Sequence, residues 1–181
     1  MVKGKNESVD TYPIIANFFR KQLEHTSLSV DSIAEGIAQA AQLCAEAILA
    51  EKKLFSTGLA SDCSSAVALA GLLQRGILRE RPSLPVVELA EHHIDSVDTG
   101  TLWASQQIQA LGQAGDVAII FALALSESDI QRFHSSAEDR QVTAIWVGQR
   151  GPGLSISSGD ETIESLLTLN YSIAICLARL I

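Results

Sequence analysis

The sequence of 181 residues has few basic residues, few cysteines and no uninterrupted apolar run long enough to cross a membrane. Lysine and arginine number 13 against 21 acidic residues, so the net charge is −8 and general binding to nucleic-acid phosphates is not expected. The three cysteines form no CxxC pair, which fits free thiols in a reducing cytoplasm. No apolar segment follows the N-terminal lysines, so we expect no signal peptide. The run 166–181 is broken by Asn170, Ser172 and Arg179 and is too short to span a bilayer.

What the sequence does contain is enough apolar residues for one packed domain over residues 1–181. Short apolar runs alternate with helical patterns from residue 53 onward, and runs that are apolar on both faces indicate a parallel sheet covered on both sides. Alternating strands and helices then predict a three-layer α/β/α sandwich. The predicted strands are 53–58, 84–89, 116–123, 142–147 and 154–158, with helices at 62–76, 97–111 and 127–139 between them.

Residues 1–52 are predicted to form a helical layer in front of the α/β core of residues 53–181. The periodicity indicates two helices, 9–26 and 30–51, separated by a break at 26–29 in which Ser29 is a candidate N-cap. The second of them carries a narrow apolar stripe of the kind that packs helix against helix. Such a layer either forms an oligomer interface or packs on its own subunit.

A last helix is predicted to begin near Asp160 and Glu161, two acids that suit the positive end of a helix. It is apolar nearly all the way round, so we expect it to pack against a partner subunit as well as its own core.

The stretch from Lys53 to Ala66 combines a strand, a glycine turn and the start of a helix. In α/β proteins ligands collect at this position, because the helix N-terminus attracts anions. Ser61, Ser64 and Ser65 are therefore candidate ligand-binding residues, with helix capping and small-residue packing as the alternative. Asp62 favours the alternative, since it can cap the helix and repel an anion.

His92 and His93 follow the second predicted strand, on the side where ligands bind. Adjacent histidines point in different directions, so both rarely bind one metal. A structural or exposed role and a ligand contact both remain open for them.

Two segments stand out, Leu78–Leu89 (LRERPSLPVVEL) and Gln109–Val117 (QALGQAGDV). Together with the order of elements they resemble the SIS (sugar isomerase) family, in particular its branch of sedoheptulose-7-phosphate isomerases and DnaA-initiator-associating proteins. The resemblance spans the whole chain and implies a five-stranded parallel sheet in flavodoxin-like order and a homotetramer.

The ligand-binding motifs differ from those of this branch. A pattern like GNGGSASDAQH after the first strand reads GLASDCSSAVA here, and a loop like STSGNS after the third strand reads ALALSE. We expect Leu59 and Ala60 to place side chains where the ligand would lie. Glu127 would repel a phosphate, because like charges a few ångströms apart cost about 1 kcal/mol or more. Ser126 and Ser128 are the hydroxyls left as candidate ligand contacts in the second loop.

The resemblance also implies a metal and acid–base set whose positions read Ala68, Leu72, Glu164 and Ser172 here. One carboxylate does not make a metal site. We therefore predict no catalytic residue, no metal and no cofactor.

These differences predict a catalytically inactive SIS-fold protein acting as a homo-oligomeric adaptor or regulator, with the replication initiator protein as its partner. The first alternative is regulatory binding of a small phosphosugar-like ligand, and the second is an active phosphoheptose isomerase. The expected partners are copies of the same chain, as a homodimer or homotetramer, with neither nucleic acid nor membrane, in the cytoplasm.

Overall fold

The computed structural model describes residues 10–59, 62–76, 80–89, 97–159 and 162–181. Helices and strands alternate after a long first helix. In chain order the elements are α1 (Tyr12–Leu49), β1 (Leu54–Leu59), α2 (Cys63–Arg75), β2 (Val86–Leu89), α3 (Val97–Leu111), β3 (Val117–Ala122), α4 (Glu127–Asp139), β4 (Thr143–Val147), β5 (Leu154–Ile156) and α5 (Ile163–Leu180).

The five strands form one parallel sheet in the order β2-β1-β3-β4-β5, which confirms the predicted fold class and its flavodoxin-like order. The order reverses between β1 and β3, which pair from Leu54↔Val117 to Leu59↔Ala122. In such sheets the crevice at the carboxyl ends of these two strands is where ligands bind. The fold therefore places the end of β1 beside the loop after β3.

The sheet separates two apolar cores, as the three-layer prediction requires. One core joins the sheet to α1, α2 and α5, and the other joins it to α3 and α4. All six residues of β1 and all six of β3 are buried, because both faces of these central strands are covered by helices.

The N-terminal layer is one helix of 38 residues, so the predicted break at 26–29 is wrong. Thr26 and Ser29 do not cap a new helix. Their hydroxyls donate to the carbonyl oxygens of Gln22 and His25, one turn back, at 2.8 and 2.9 Å. Hydroxyl side chains that bond in this way are compatible with an uninterrupted helix.

Helix α5 begins at Ile163, later than predicted, and the Thr162 hydroxyl oxygen accepts the backbone N–H of Ser165 as its N-cap. By length and composition alone α5 could cross a membrane. It packs against α1 and α2, however, and buries Leu169, Ile173 and Leu177 in their core. A core helix of a soluble protein has the same composition, and the sheet fold indicates a soluble protein.

Candidate functional site

The candidate site lies at the carboxyl edge of the sheet, where Asp62, before α2, lies near the described loops after β3, β4 and β5. Two polar arrangements can be described there. One is a buried cluster between α2 and α5, and the other is an open cleft beside β4 and β5.

The buried cluster consists of Asp62, Ser65 and Asn170. The Ser65 hydroxyl donates to Asp62 Oδ1 at 2.5 Å, and Asn170 Nδ2 donates to Asp62 Oδ2 at 2.6 Å. All three side chains have no solvent exposure. Asn170 Oδ1 has no hydrogen-bond partner among the described residues. Buried polar groups are normally satisfied, so this oxygen is an acceptor left available inside the site.

Burial raises the pKa of the Asp62 carboxyl above its usual range, and the hydrogen bonds from Ser65 and Asn170 offset part of that rise. A carboxyl whose pKa is shifted by burial beside a ligand-binding edge is a candidate proton-transfer group. Asp62 occupies the N-cap position of α2, and its two carboxylate oxygens accept hydrogen bonds from Ser65 and Asn170.

Asn170 was noted from the sequence only as a break in an apolar run and was missed as a residue of the site. It stands in an apolar helix between Leu169 and Tyr171, and a polar residue on the buried face of such a helix is the pattern that could have found it. Gly148, at the end of β4, contacts it closely: a Cβ added there would collide with Asn170 Nδ2 and lie 2.8 Å from the carbonyl oxygen of Ala122. The end of β4 therefore closes one side of the cluster.

The loop after β3 is held by the loop after β4. Gln149 Oε1 accepts the backbone N–H of Leu125 at 2.7 Å, and Gln149 Nε2 donates to the carbonyl oxygen of Leu125 at 2.8 Å. Both backbone polar groups of Leu125 are thus occupied, and the two loops form one rigid edge.

Ser126 and Ser128, the predicted hydroxyls of that loop, lie at the start of α4. Ser126 Oγ accepts the backbone N–H of Asp129 at 3.2 Å, contacts Asp129 Oδ2 at 2.6 Å and contacts Ser128 Oγ at 2.8 Å. Ser126 is an N-cap, and its binding of a ligand stays a prediction.

The first predicted set of serines divides in three ways. Ser64 is exposed at the start of α2, Ser65 is buried on Asp62, and Ser61 lies outside the described residues. His92 and His93 also lie outside them. The structure therefore brings Ser65, and not Ser64, into the buried cluster.

The expectation that Leu59 fills the ligand space is wrong. Leu59 is 1% exposed and packs in the core shared with α3 and α4, because it is the last residue of β1 and points into the layer below the edge. Leu125 packs into the same core. These two leucines therefore offer no polar contact at the edge. Ala60, the other residue expected to occupy the ligand space, lies outside the described residues.

The positions that the SIS resemblance assigns to a metal do not fit one. Ala68 and Leu72 line an open groove of about 370 Å³ between α2 and α5, together with Tyr171 and Ile175. The side chains of Ala68 and Leu72 are hydrocarbon and have no atom that can bind a metal. Within the described parts of the chain, no group of three His, Cys, Asp or Glu residues could hold a metal ion.

Solved structures share this fold. A phosphoheptose isomerase from Francisella tularensis superposes with a TM-score of 0.81 over 95% of this chain and 98% of that chain, at 18% identity. A phosphoheptose isomerase from Neisseria gonorrhoeae gives 0.75 over 93% and 96%, at 16% identity. The fold is that of the sugar isomerase (SIS) class.

Sequence comparison identifies the family within that class. The phosphoheptose isomerase of Pseudoalteromonas atlantica is 30% identical over 138 residues, which are 70% of this chain and 67% of that protein. That of Alkalilimnicola ehrlichii is 25% identical over 150 residues, or 77% and 74% of the two chains. No protein-family model matches the chain. The chain belongs to the phosphoheptose isomerase family.

The prediction of a catalytically inactive adaptor is wrong, because these relatives are named phosphoheptose isomerases and point to an active isomerase. That prediction took changed motif residues as lost function. The replication initiator as a partner stays a sequence-based prediction.

Proposed function

We propose that this chain is an isomerase that interconverts the ketose and aldose forms of a phosphorylated sugar, of the phosphoheptose type. The observation that carries the proposal is the match to relatives with that name over about two thirds of their length or more. The buried side-chain carboxyl of Asp62, near the C-terminal ends of the strands, supports the proposal, because the reaction needs a group that accepts and returns a proton.

In such an isomerisation a base removes a proton from C1 of the ketose and the proton is returned at C2, while the carbonyl oxygen gains a proton and the C1 hydroxyl loses one. We assign the carbon-to-carbon transfer to Asp62, which is buried in this structure and reaches the substrate only when Ser65 or Asn170 releases one of its carboxylate oxygens. Its pKa is raised by burial, which brings a carboxyl closer to the range in which it both takes up and releases a proton. Ser65 and Asn170 fix the orientation of its two oxygens.

The test is turnover of sedoheptulose 7-phosphate in D2O, followed by proton NMR. An active isomerase produces the aldose with deuterium at C2 to the extent that the transferred proton exchanges with solvent. Asp62→Asn removes the base with little change of shape, so we expect kcat to fall at least about 100-fold. Asp31→Asn, an exposed change on α1, is the matched control and should leave kcat unchanged.

The proposal is wrong if the folded wild-type chain shows no turnover and no deuterium incorporation with sedoheptulose 7-phosphate or other ketose phosphates. Full activity in Asp62→Asn would leave the isomerase in place and move the proton transfer to another group. Circular dichroism of each variant separates a loss of fold from a loss of chemistry.

We further propose that the chain acts as a cytoplasmic homo-oligomer. The first half of α1 exposes large apolar side chains, among them Tyr12 at 74%, Leu23 at 73% and Leu28 at 75%. An apolar groove of about 290 Å³ runs between α1 and α5 and is lined by Val30, Ile33 and Leu180 among others. Exposed apolar surface of this extent is typical of an interface. Light scattering at micromolar concentration should report a dimer or a tetramer, and a monomer would contradict the proposal.

A further inference from the structure

The open cleft at the carboxyl edge contains a cation, Arg150, that pairs with no residue in the described part of the chain. It has a volume of about 430 Å³ and is lined by Gly148, Gln149, Arg150, Ser157 and Gly159. Arg150 is exposed, and no described residue forms an ion pair or hydrogen bond with its guanidinium. An unpaired guanidinium in a polar cleft, beside a sheet edge where ligands bind, is suited to an anionic ligand.

Two groups that the neighbouring loop after β3 could offer to an anion already have hydrogen-bond partners. The backbone N–H of Leu125 is taken by Gln149, and the Ser126 hydroxyl is taken by Asp129. The first turn of α4 also carries the acidic residues Glu127 and Asp129. Among the described residues, Arg150, after β4, therefore offers a positive charge to an anion that reaches this edge.

The cleft is also preorganised. Gln149, next to Arg150, is fixed by its two hydrogen bonds to Leu125, so the loop that carries the arginine is tied to the sheet edge. Gly148 and Gly159 have φ values of +88° and +111°, and a Cβ added at Gly159 would meet nothing within 4 Å. Glycine permits this backbone conformation at both positions. At Gly159 the space beside the backbone is open to a ligand, whereas at Gly148 it is occupied by Asn170.

We propose that this cleft binds the phosphate group of the substrate, with Arg150 as the main contact and the Ser157 hydroxyl as a second donor. A guanidinium presents two parallel N–H groups that match two phosphate oxygens, and the remaining oxygens are left for hydroxyl and backbone donors. This inference rests on the proposed function in one respect, which is that the bound phosphate belongs to a sugar substrate. The anion site itself follows from Arg150 and the cleft.

The experiment measures binding of inorganic phosphate to the full chain by isothermal titration calorimetry in a buffer without competing anions. Arg150→Gln should weaken phosphate binding about 10- to 100-fold, because it removes a charge-assisted pair of hydrogen bonds. Arg150→Lys keeps the positive charge but loses the two parallel N–H groups, so its phosphate affinity should lie between those of the wild type and Arg150→Gln. Arg75→Gln removes the same charge from another exposed arginine and should bind as the wild type does.

The same variants are then assayed with the sugar phosphate. The inference predicts that Arg150→Gln raises KM with a smaller effect on kcat, since it removes a binding contact away from the reacting carbons. Unchanged phosphate affinity in Arg150→Gln, an equal loss in Arg75→Gln, or no phosphate binding by the wild type would each overturn it.

The two proposals fail in different ways. Phosphate binding that depends on Arg150 without any turnover would leave the anion site in place and remove the isomerase. Turnover with a KM that is insensitive to Arg150→Gln would keep the isomerase and remove the anion site.

Discussion

Asn170 donates a hydrogen bond of 2.6 Å to Asp62 across 108 residues of chain, and this bond joins the start of α2 to the middle of α5. Neither residue is exposed to solvent. The contact links the candidate acid–base group to the helix that also lines the apolar groove beside α1. The site and the proposed interface therefore share one helix.

The raised pKa of Asp62 makes stability depend on pH. Because the folded pKa lies above the unfolded one, the folded chain binds more protons in the interval between them, and the unfolding free energy falls as pH rises through that interval. The contribution is fully present below the usual aspartate pKa of about 4 and is lost above the raised value. Urea denaturation of wild type and Asp62→Asn across this range should show the wild type losing stability relative to the variant as pH rises. Parallel curves would contradict the shift.

Gly148→Ala should destabilise the fold and disturb the Asp62 cluster. The backbone at Gly148 has φ +88°, and the added Cβ would collide with Asn170. Strain of this kind costs about 1–3 kcal/mol, and the collision adds to it. Chemical denaturation measures the loss. Gly71→Ala is the matched control, because its Cβ meets nothing within 4 Å inside α2, and it should be neutral or gain about 0.5–1 kcal/mol.

Asp116→Ala should be among the more damaging changes away from the site. Its buried carboxylate pairs with Lys53 Nζ at 2.6 Å and accepts the backbone N–H groups of Lys53 and Gln113 at 3.0 and 2.9 Å. Removing it leaves these groups without their acceptor, at a cost of about 3 kcal/mol. Asp139→Ala, at the exposed end of α4, should cost far less in the same denaturation experiment. Equal costs would show that the Asp116 contacts contribute little.

Cys44 should stay unreactive until the chain unfolds. It is fully buried, and burial raises the pKa of its thiol to about 12, so almost no thiolate forms near neutral pH. In a Cys63→Ser/Cys176→Ser variant, the remaining thiol should react with a disulfide reagent only as denaturant unfolds the chain. The single variant Cys44→Ser, which keeps the exposed Cys176, is the control that reacts in the folded state. Fast labelling of Cys44 in the native chain would contradict its burial.

Local chemistry determined which elements could be predicted from the sequence. Helix α4 was predicted at its observed bounds because Ser126 is a good N-cap and two acidic residues follow it in the first turn. The break in α1 was predicted wrongly, because Thr26 and Ser29 can either cap a helix or bond back within one, and sequence does not show which.

The site was harder to predict because its contacts join residues distant in sequence. Ser65 could be identified from its position at the start of α2. Its partner Asp62 is also hydrogen-bonded to Asn170 in the last helix, and the sequence does not show this contact. The direction of Leu59 depends on where β1 ends, and a shift of one residue reverses the face to which a strand side chain points. Arg150 had no motif around it, and only the fold shows that it faces a cleft.

Helix α1 has 38 residues and so measures about 57 Å from end to end at a rise of about 1.5 Å per residue. The buried residues of this helix lie between Ser29 and Ala47, so its first four turns have little of the chain to pack on. Helical segments without packing are marginal in water. If copies of the chain cover these turns, their melting obeys mass action, and the thermal midpoint should rise with protein concentration.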